Sequence, residues 1–180
     1  MGFWKNVYGV DMSCLQSAAM KEPLIDVCES NMLVSNSCMI LDLDLVNMKK
    51  EDVEFSNEYQ LTMMRDDKIH ALVAWFDCHF SDLTNPVTLS TSPYKKYTHW
   101  KQVVFYMDHE MRVKQGDQLW GSISNRKSKT NFREQDVKIS YHSSSPQAHN
   151  GFTQMYKIRW TCLCFLILSI NITHNSVILL

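Results

Sequence analysis

The sequence predicts a mainly β protein, an antiparallel β-barrel or sandwich of about eight to ten strands preceded by a short N-terminal helical arm. Strand-like segments recur at roughly regular spacing from Met39 to Arg159, and turn signals such as Thr84-Asn85-Pro86 and Gln115-Gly116-Asp117 separate them. No helical pattern intervenes between these segments. Consecutive strands without crossover helices pair in the antiparallel sense, which gives the predicted fold class.

The first thirty residues are predicted to be helical. Asp11 and Ser13 are residue types that begin helices, good helix formers follow from Cys14 to Glu22, and Pro23 ends the run. A helix this short is marginal by itself, so its apolar side must pack on another surface.

The strands begin where the pattern changes to alternation. Leu41 and Leu43 alternate with Asp42 and Asp44, which is typical of a half-buried strand. Further strands are predicted at 59–64, 69–80, 87–90, 100–107, 111–114, 118–124, 136–142 and 152–159. The segment 69–76 is apolar on both faces, and we expect it to be the central strand.

The end of the chain has a different character. An apolar run from Trp160 to Ile172 spans about 20 Å as a helix, which is shorter than the hydrocarbon core of roughly 30 Å. Extending it to Leu180 would bury Asn171, His174 and Asn175. We interpret 160–180 as an apolar tail attached to a complete barrel, and a membrane anchor is the less favoured alternative.

Composition limits the possible partners. The 180 residues suffice for one domain, and their net charge of −1 gives no reason to expect direct binding to nucleic acid or to an anionic membrane. Six cysteines are scattered without a CxxC pair or zinc-finger spacing, so we expect no metal-binding residues. Free thiols are typical of a reducing compartment, which predicts the cytoplasm, the nucleus or both.

The sequence contains no motif for a complete active site. None of its five glycines forms a GxG turn after a strand, and no Ser, Cys or Lys lies in a recognisable nucleophile motif. We therefore expect a mostly β domain with no cofactor-binding residues of its own.

Several stretches nevertheless resemble one known family. The run FWKNVYGVDMS at 3–13 is similar to the start of the dimerisation arm of type I protein arginine methyltransferases, and KEPLIDV at 21–27 is similar to its end. HALVAWFD at 70–77 and LSTSP at 89–93 resemble barrel strands of that family, and YTHWKQVVFY at 97–106 contains its Thr-His-Trp loop. The resemblance divides the chain into an arm (1–27), a barrel (28–159) and a non-homologous tail (160–180).

The resemblance implies a function for the whole protein. In this family a Rossmann-type domain binds S-adenosylmethionine, the barrel helps to bind the substrate, and the arm docks on the cofactor domain of a second subunit to form a homodimer. Two glutamates grip the arginine of the substrate. They have no counterpart here, because Glu51, Glu54 and Glu58 lack the surrounding motif and are better interpreted as a solvated acidic face. The chain is thus expected to begin inside the family's sequence and to be inactive alone.

The resemblance also implies roles for individual residues. His99 matches the family's histidine that faces the catalytic glutamates and passes on a proton, and Trp100 would line the arginine pocket. Without the resemblance, His99 would be interpreted as a neutral surface residue. The docking face of the arm is predicted to consist of Trp4, Val7, Tyr8, Met12 and Leu15. The alternative is that these five residues pack on this chain's own barrel.

Two functions follow as hypotheses. The first is methyl transfer from S-adenosylmethionine to arginine in proteins, with histones and Arg-Gly-rich tails as substrates. The second is a non-catalytic, regulatory dimer partner of a full-length arginine methyltransferase. A truncated gene model, whose missing part would restore an ordinary enzyme, would explain the unusual ends of the chain.

Overall fold

A computed structural model describes residues 3–131, 133–146 and 151–159, together with the backbone of 175–179. The strands are β1 (Leu24–Asp26), β2 (Cys38–Leu43), β3 (Phe55–Thr62), β4 (Asp67–Phe80), β5 (Val87–Ser90), β6 (Gln102–Val113), β7 (Gln118–Lys127), β8 (Glu134–Ser143), β9 (Phe152–Arg159) and β10 (Asn175–Leu179). One α-helix, α1 (Gln16–Ala19), and 3₁₀ turns at Phe3–Lys5, Ser13–Leu15, Ser30–Met32 and Lys50–Val53 complete the described elements. The predicted mainly β fold class is confirmed.

The strands form two antiparallel sheets. One has the order β1-β6-β4-β10-β2, with β5 paired to β4, and the other has the order β3-β7-β8-β9. Along β9 and the first half of β8, buried and more exposed residues alternate, because one face of the sheet packs inward and the other meets solvent. The main core lies between the sheets and contains Leu61, Phe105, Ile139 and Ile158 among its most buried residues.

The expectation of a central strand at 69–76 agrees with the position of β4. Five successive residues of this strand, Leu72 to Phe76, are buried. Leu72 and Ala74 belong to the core between the sheets, whereas Val73 and Trp75 pack with Leu33 in a second apolar cluster. Both faces of β4 are therefore covered, which explains its continuous apolar sequence.

The predicted helix across the first thirty residues is wrong in extent. Asp11 accepts a hydrogen bond from the Ser13 backbone N–H (2.9 Å), but the α-helix that follows has only four residues. After Pro23 the chain becomes extended, and Leu24–Asp26 pairs with β6 as β1. This strand was not predicted, because three residues carry too little periodicity and their partners lie far along the chain.

Two predicted strands, 100–107 and 111–114, are one strand. β6 runs through Asp108-His109-Glu110, three polar residues that separate the two predicted strands in the sequence and are exposed in the structure. Opposite this stretch the register between β4 and β6 shifts between Ile69 and Ala71, so a β-bulge accommodates the polar residues without ending the strand.

The tail is described only at 175–179, where its backbone forms β10 between β4 and β2. The predicted apolar run 160–172 lies outside the described residues. Within the part of the chain that the structure describes, no helix is long and apolar enough to cross a membrane.

Buried tyrosines connect neighbouring strands. Tyr156 donates its hydroxyl hydrogen to the Tyr106 carbonyl (2.8 Å) and joins β9 to β6, whereas Tyr59 donates to the Ser140 carbonyl (2.9 Å). The Tyr141 hydroxyl is buried and has no hydrogen-bond partner among the described residues. Burial raises the pKa of Tyr141 to about 12 and also raises the pKa values of Tyr59 and Tyr156 above their usual value.

These pKa shifts predict a loss of stability in alkali. The tyrosines ionise near pH 10 when the chain is unfolded and at higher pH when it is folded. Their contribution to the free energy of unfolding is therefore complete below about pH 10 and declines as the pH rises above it. Replacing Tyr141 by Phe removes a titrating hydroxyl without removing a described hydrogen bond. Between pH 9 and pH 11 the free energy of unfolding should fall in both proteins. We expect the fall to be about 1 kcal/mol smaller in Tyr141→Phe than in the parent.

Urea unfolding followed by circular dichroism at both pH values measures the difference. Tyr97→Phe is the matched control, because it removes a hydroxyl from a side chain that is 64% exposed and lies outside the core. Equal losses in the parent and in Tyr141→Phe would contradict the assignment.

Candidate functional site

The Thr-His-Trp loop lies immediately before β6. Its turn closes where the Lys101 backbone N–H donates to the Thr98 carbonyl (3.1 Å), and Lys101 adopts a left-handed conformation (φ 54°). Non-glycine residues rarely adopt this conformation, so the surrounding contacts must hold it in place. His99 and Trp100 lie within this turn, immediately before β6.

The two predicted site residues are in contact. The ring centroids of His99 and Trp100 lie 4.0 Å apart at an interplanar angle of 33°, and Trp100 also meets Phe76 of β4 edge to face at 6.2 Å. His99 is exposed and Trp100 is half-buried. The structure thus presents an imidazole and a flat aromatic ring side by side next to the central strand.

A group of buried hydrogen bonds, here called the polar clasp, fixes both ends of this loop. At one end the Thr91 hydroxyl accepts from the Phe76 backbone N–H (3.0 Å) and donates to the Phe76 carbonyl (2.9 Å). At the other end the Gln102 amide donates to the Thr91 carbonyl (2.7 Å) and accepts from the Cys28 backbone N–H (2.7 Å). Thr91 and Gln102 are both buried, so water competes little for the bonds among Phe76, Thr91 and Gln102, whereas the bond to Cys28 is part-buried.

Sequence reasoning missed the polar clasp. Thr91 lies in the LSTSP motif and Gln102 in the YTHWKQVVFY motif, but neither was assigned a role. Their only signal is a polar residue next to an apolar strand, which is common on protein surfaces and indicates little without the fold.

An ion pair lies beside the loop. Lys101 Nζ is 3.4 Å from Asp26 Oδ1, and the Val27 backbone N–H together with Lys101 lowers the pKa of the Asp26 carboxyl. The Thr98 hydroxyl is buried and has no hydrogen-bond partner among the described residues. The loop therefore carries one unsatisfied hydroxyl directly before His99.

The arm is anchored at its end and exposed along its length. The Lys157 backbone N–H donates to the Lys21 carbonyl (2.9 Å), and Arg159 pairs with Glu22 (3.2 Å). Of the five residues predicted to form the docking face, Tyr8 and Leu15 are exposed, and Trp4, Val7 and Met12 are partly exposed. For Tyr8, which is fully exposed, packing on this chain's own barrel does not occur.

The acidic residues singled out by the sequence lie elsewhere. Glu51, Glu54 and Glu58 are all exposed. Glu51 and Glu54 precede β3 and Glu58 lies in it, and β3 belongs to the four-stranded sheet, whereas the Thr-His-Trp loop leads into β6 of the other sheet. Glu54 accepts a hydrogen bond from the Lys127 backbone N–H (3.1 Å). In the described residues, no group of three or more His, Cys, Asp or Glu side chains could hold a metal ion.

The apolar arm exposed on this antiparallel barrel is a surface of the kind that marks interaction sites. Residues 1–146 match a family described as the arginine methyltransferase oligomerization subdomain. The chain belongs to the protein arginine methyltransferase family, a family of transferases.

Its relatives agree with this assignment. The chain is 45% identical over 141 residues to protein arginine N-methyltransferase 1 of Schizosaccharomyces pombe, covering 78% of this chain and 42% of that protein. It is 37% identical over 159 residues to protein arginine N-methyltransferase 1 of Dictyostelium discoideum, covering 88% of this chain and 47% of that protein. The chain therefore spans less than half the length of these curated relatives.

Solved structures show the same fold. A chain of the Trypanosoma brucei PRMT1 enzyme-prozyme heterotetrameric complex with AdoHcy superimposes with a TM-score of 0.82 and 27% identity, covering 88% of this chain and 50% of that chain. Protein arginine methyltransferase 10 of Arabidopsis thaliana superimposes with a TM-score of 0.71 at 20% identity, covering 85% of this chain and 49% of that chain. The second likeness supports the fold alone.

The family uses S-adenosylmethionine. The described residues do not fit that cofactor, because a nucleotide-like ligand needs a glycine turn that leads from a strand into a helix N-terminus. α1 has four residues and follows a 3₁₀ turn, and none of the described glycines stands between a strand and a helix.

The polar clasp yields a prediction about the loop. Gln102→Ala would leave the Cys28 N–H and the Thr91 carbonyl without partners, so we expect a loss of about 1–3 kcal/mol in unfolding free energy. Urea unfolding measures this loss. Gln60→Ala is the matched control, since Gln60 bonds Gln118 on the exposed surface and should change stability by less than about 0.5 kcal/mol. Equal stabilities of the two variants would show that the clasp does not hold the loop.

Proposed function

We propose that this chain forms the substrate-side barrel and the dimer arm of a protein arginine N-methyltransferase, which transfers a methyl group from S-adenosylmethionine to arginine in proteins. The observation that carries the proposal is the pair of neighbouring rings His99 and Trp100, 4.0 Å apart, in a loop held by the polar clasp in a chain of this family. The cofactor would be held by residues other than the described ones.

The chemistry of arginine suits this pair. A guanidinium is planar and carries its charge up to a pKa above about 12, so it stacks well on an aromatic face such as Trp100. Methylation releases a proton, and an imidazole can accept it because its usual pKa lies near neutral pH. We assign Trp100 to binding the substrate side chain and His99 to accepting or relaying that proton.

Methyl transfer needs more than this pair. Carboxylates must orient the guanidinium, and a bound sulfonium must supply the methyl group. The acidic residues at 51, 54 and 58 lie in the other sheet, and the described glycines do not fit the cofactor. We therefore propose that the 180 residues have no methyltransferase activity by themselves.

Association is the second part of the proposal. The exposed apolar arm is suited to dock on a second subunit, as a homodimer in which each arm contacts the cofactor domain of the other subunit. The match to an oligomerization subdomain supports this proposal. We propose Trp4, Val7, Tyr8, Met12 and Leu15 as the docking residues.

A second candidate function is that of a non-catalytic, regulatory partner. The observation that favours it is the solved neighbour, which is an enzyme-prozyme heterotetramer and not a single kind of subunit. In that case the arm would dock on a full-length arginine methyltransferase and form a mixed assembly.

The substrates and the location are proposed from chemistry. Histones and Arg-Gly-rich tails present arginines on extended segments that can reach an exposed loop. We place the protein in the cytoplasm, the nucleus or both. Cys14, Cys28, Cys38 and Cys78 form no disulfide among the described residues, which is typical of a reducing compartment. A membrane and direct contact with nucleic acid have no support in the near-neutral net charge of −1.

The proposed function predicts that the chain has no activity by itself. We expect the chain, incubated with radiolabelled S-adenosylmethionine and either histones or an Arg-Gly peptide, to transfer no methyl group above a blank without protein. Scintillation counting of the peptide measures transfer, and the Schizosaccharomyces pombe enzyme serves as positive control. Robust methylation by the chain alone would overturn the proposal that the cofactor is held by residues other than the described ones.

The proposed docking role of the arm predicts a complex with a full-length enzyme. Mixed at micromolar concentration with the full-length Schizosaccharomyces pombe enzyme, the chain should form a complex whose mass is measured by light scattering. Tyr8→Asp should weaken it at least tenfold, because a charge replaces an exposed aromatic ring. Tyr94→Asp is the matched control, as Tyr94 is 54% exposed and lies outside the arm. If both variants bind like the parent, the arm is not the docking surface.

A further inference from the structure

The outer face of the four-stranded sheet carries a groove that the candidate site does not use. The groove lies across β3, β7 and β8, whereas the Thr-His-Trp loop leads into β6 of the other sheet. Its volume is about 470 Å³. Ligand sites in proteins usually measure about 300–1,000 Å³, so a side chain and the backbone beside it fit within this space. We call this feature the sheet groove.

Two stacked rings form one wall of the sheet groove. Trp120 and His142 are directly opposite each other in register, and their ring centroids are 6.0 Å apart at an interplanar angle of 21°. The imidazole of His142 also lies over Gly151, where an added Cβ would be 2.5 Å from the ring, so a larger residue at this position would displace the ring. Trp120 is 41% exposed, so part of its indole is available to a ligand.

Small residues form the floor of the sheet groove. Ser122 and Ser140 are opposite each other, and their hydroxyl groups share a hydrogen bond of 2.8 Å. The Ser122 backbone N–H also donates to the Ser140 hydroxyl (2.9 Å). Gly121 approaches β8 so closely that a Cβ would overlap the Ser140 carbonyl. The floor therefore stays low between the aromatic wall and β3.

A carboxylate forms the opposite wall. Glu58 of β3 is in register with Ser122, and Gln60 is in register with Trp120. Glu58 and Trp120 are thus diagonal neighbours on the same face, about 7–8 Å apart, which is a distance that long side chains bridge. Glu58 is exposed, and among the described residues it has no ion-pair partner. Its negative charge is therefore available to a ligand.

The two walls together define the chemistry of the ligand. A cation is attracted to the face of an indole and also to a carboxylate, so it gains most where both are within reach. A guanidinium suits this arrangement better than an ammonium group, because it is planar, stacks on an aromatic face and directs its N–H donors in the ring plane towards a carboxylate. A neutral ligand of the same shape would lose both attractions.

We propose that the sheet groove binds the arginine side chain of an extended protein segment, with the guanidinium stacked on Trp120 and paired with Glu58. The sheet groove and the Thr-His-Trp loop belong to different sheets, so this arginine is a second one in the segment, apart from the arginine at His99 and Trp100. That the segment is a methylation substrate rests on the proposed function, whereas binding to the sheet groove requires no methyl transfer.

Nuclear magnetic resonance on the isotope-labelled full chain tests this proposal. The backbone N–H signal of Gly121 reports on the sheet groove, and that of Trp100 reports on the candidate site. The probe is an acetylated and amidated Gly-Arg-Gly peptide, and peptides with lysine or citrulline in place of arginine are titrated in parallel. We expect the arginine peptide to bind at least threefold more tightly than the lysine peptide and at least tenfold more tightly than the citrulline peptide, because citrulline keeps the shape of arginine and loses its charge.

Variants test each wall separately. Glu58→Gln and Trp120→Leu should each weaken binding of the arginine peptide at least threefold, and Trp120→Phe should retain more affinity than Trp120→Leu because it keeps an aromatic face. Glu51→Gln is the matched control, since it removes an exposed carboxylate that precedes β3 and does not line the sheet groove. Circular dichroism confirms that each variant is folded.

The possible outcomes distinguish this proposal from the proposed function. A Gly121 signal that does not move at millimolar arginine peptide would overturn the proposal, even if the Trp100 signal moves, and the proposed function would then stand unaffected. Equal affinity for the arginine and citrulline peptides, or equal losses in Glu58→Gln and Glu51→Gln, would also overturn it. A shift at Gly121 that depends on Glu58 and Trp120 supports the proposal, whatever happens to the Trp100 signal.

Discussion

The backbone hydrogen bonds of the long central strand β4 constrain the rest of the structure. Residues 72–76 in the middle of this fourteen-residue strand are buried, so their N–H and C=O groups must be paired within the protein. β6 pairs with its first half and β5 with its end, while β10 pairs along the other edge. Where the ladder changes from β6 to β5, the Thr91 hydroxyl takes both backbone groups of Phe76. The polar clasp is thus a part of the pairing of β4.

This arrangement links folding to the candidate site. The Phe76 backbone N–H donates to the Thr91 hydroxyl and its carbonyl accepts from the same hydroxyl, while its ring contacts Trp100. Gln102 joins Thr91 to Cys28 in the segment that follows β1. A guanidinium can stack only on a ring with a fixed position, because a loop that is 1 Å out of place loses much of the benefit of orientation. The buried polar residues therefore stabilise the strand and position the aromatic pair together.

The sequence predicted the fold class and most strands because alternation and turn residues are local signals. β8 and β9 follow that alternation closely, and the apolar run in β4 indicated a central position. The local pattern did not predict β1 or the polar middle of β6, because both are strands through their pairing with distant segments. The same contrast between local and long-range signals applies to the site. A contiguous motif predicted His99 and Trp100, whereas Thr91 and Gln102 gain a role only from partners distant in sequence. The role of His99 and Trp100 in catalysis stays a prediction.

The energetics of the exposed arm limit how the proposed association can occur. Burying a large apolar side chain such as Tyr8 or Leu15 contributes roughly 1.5–3 kcal/mol, while association costs an estimated 4–15 kcal/mol before any contact is gained. Three of the five residues of the proposed docking face are already partly buried, so the total gain from docking is of the same order as this cost, and a single arm would bind weakly. In a symmetric dimer two arms dock at once, and the second docks as an intramolecular event with a high effective concentration. A short arm can thus support a stable dimer only when both subunits carry the surface that receives it, which makes that receiving surface as important to association as the arm.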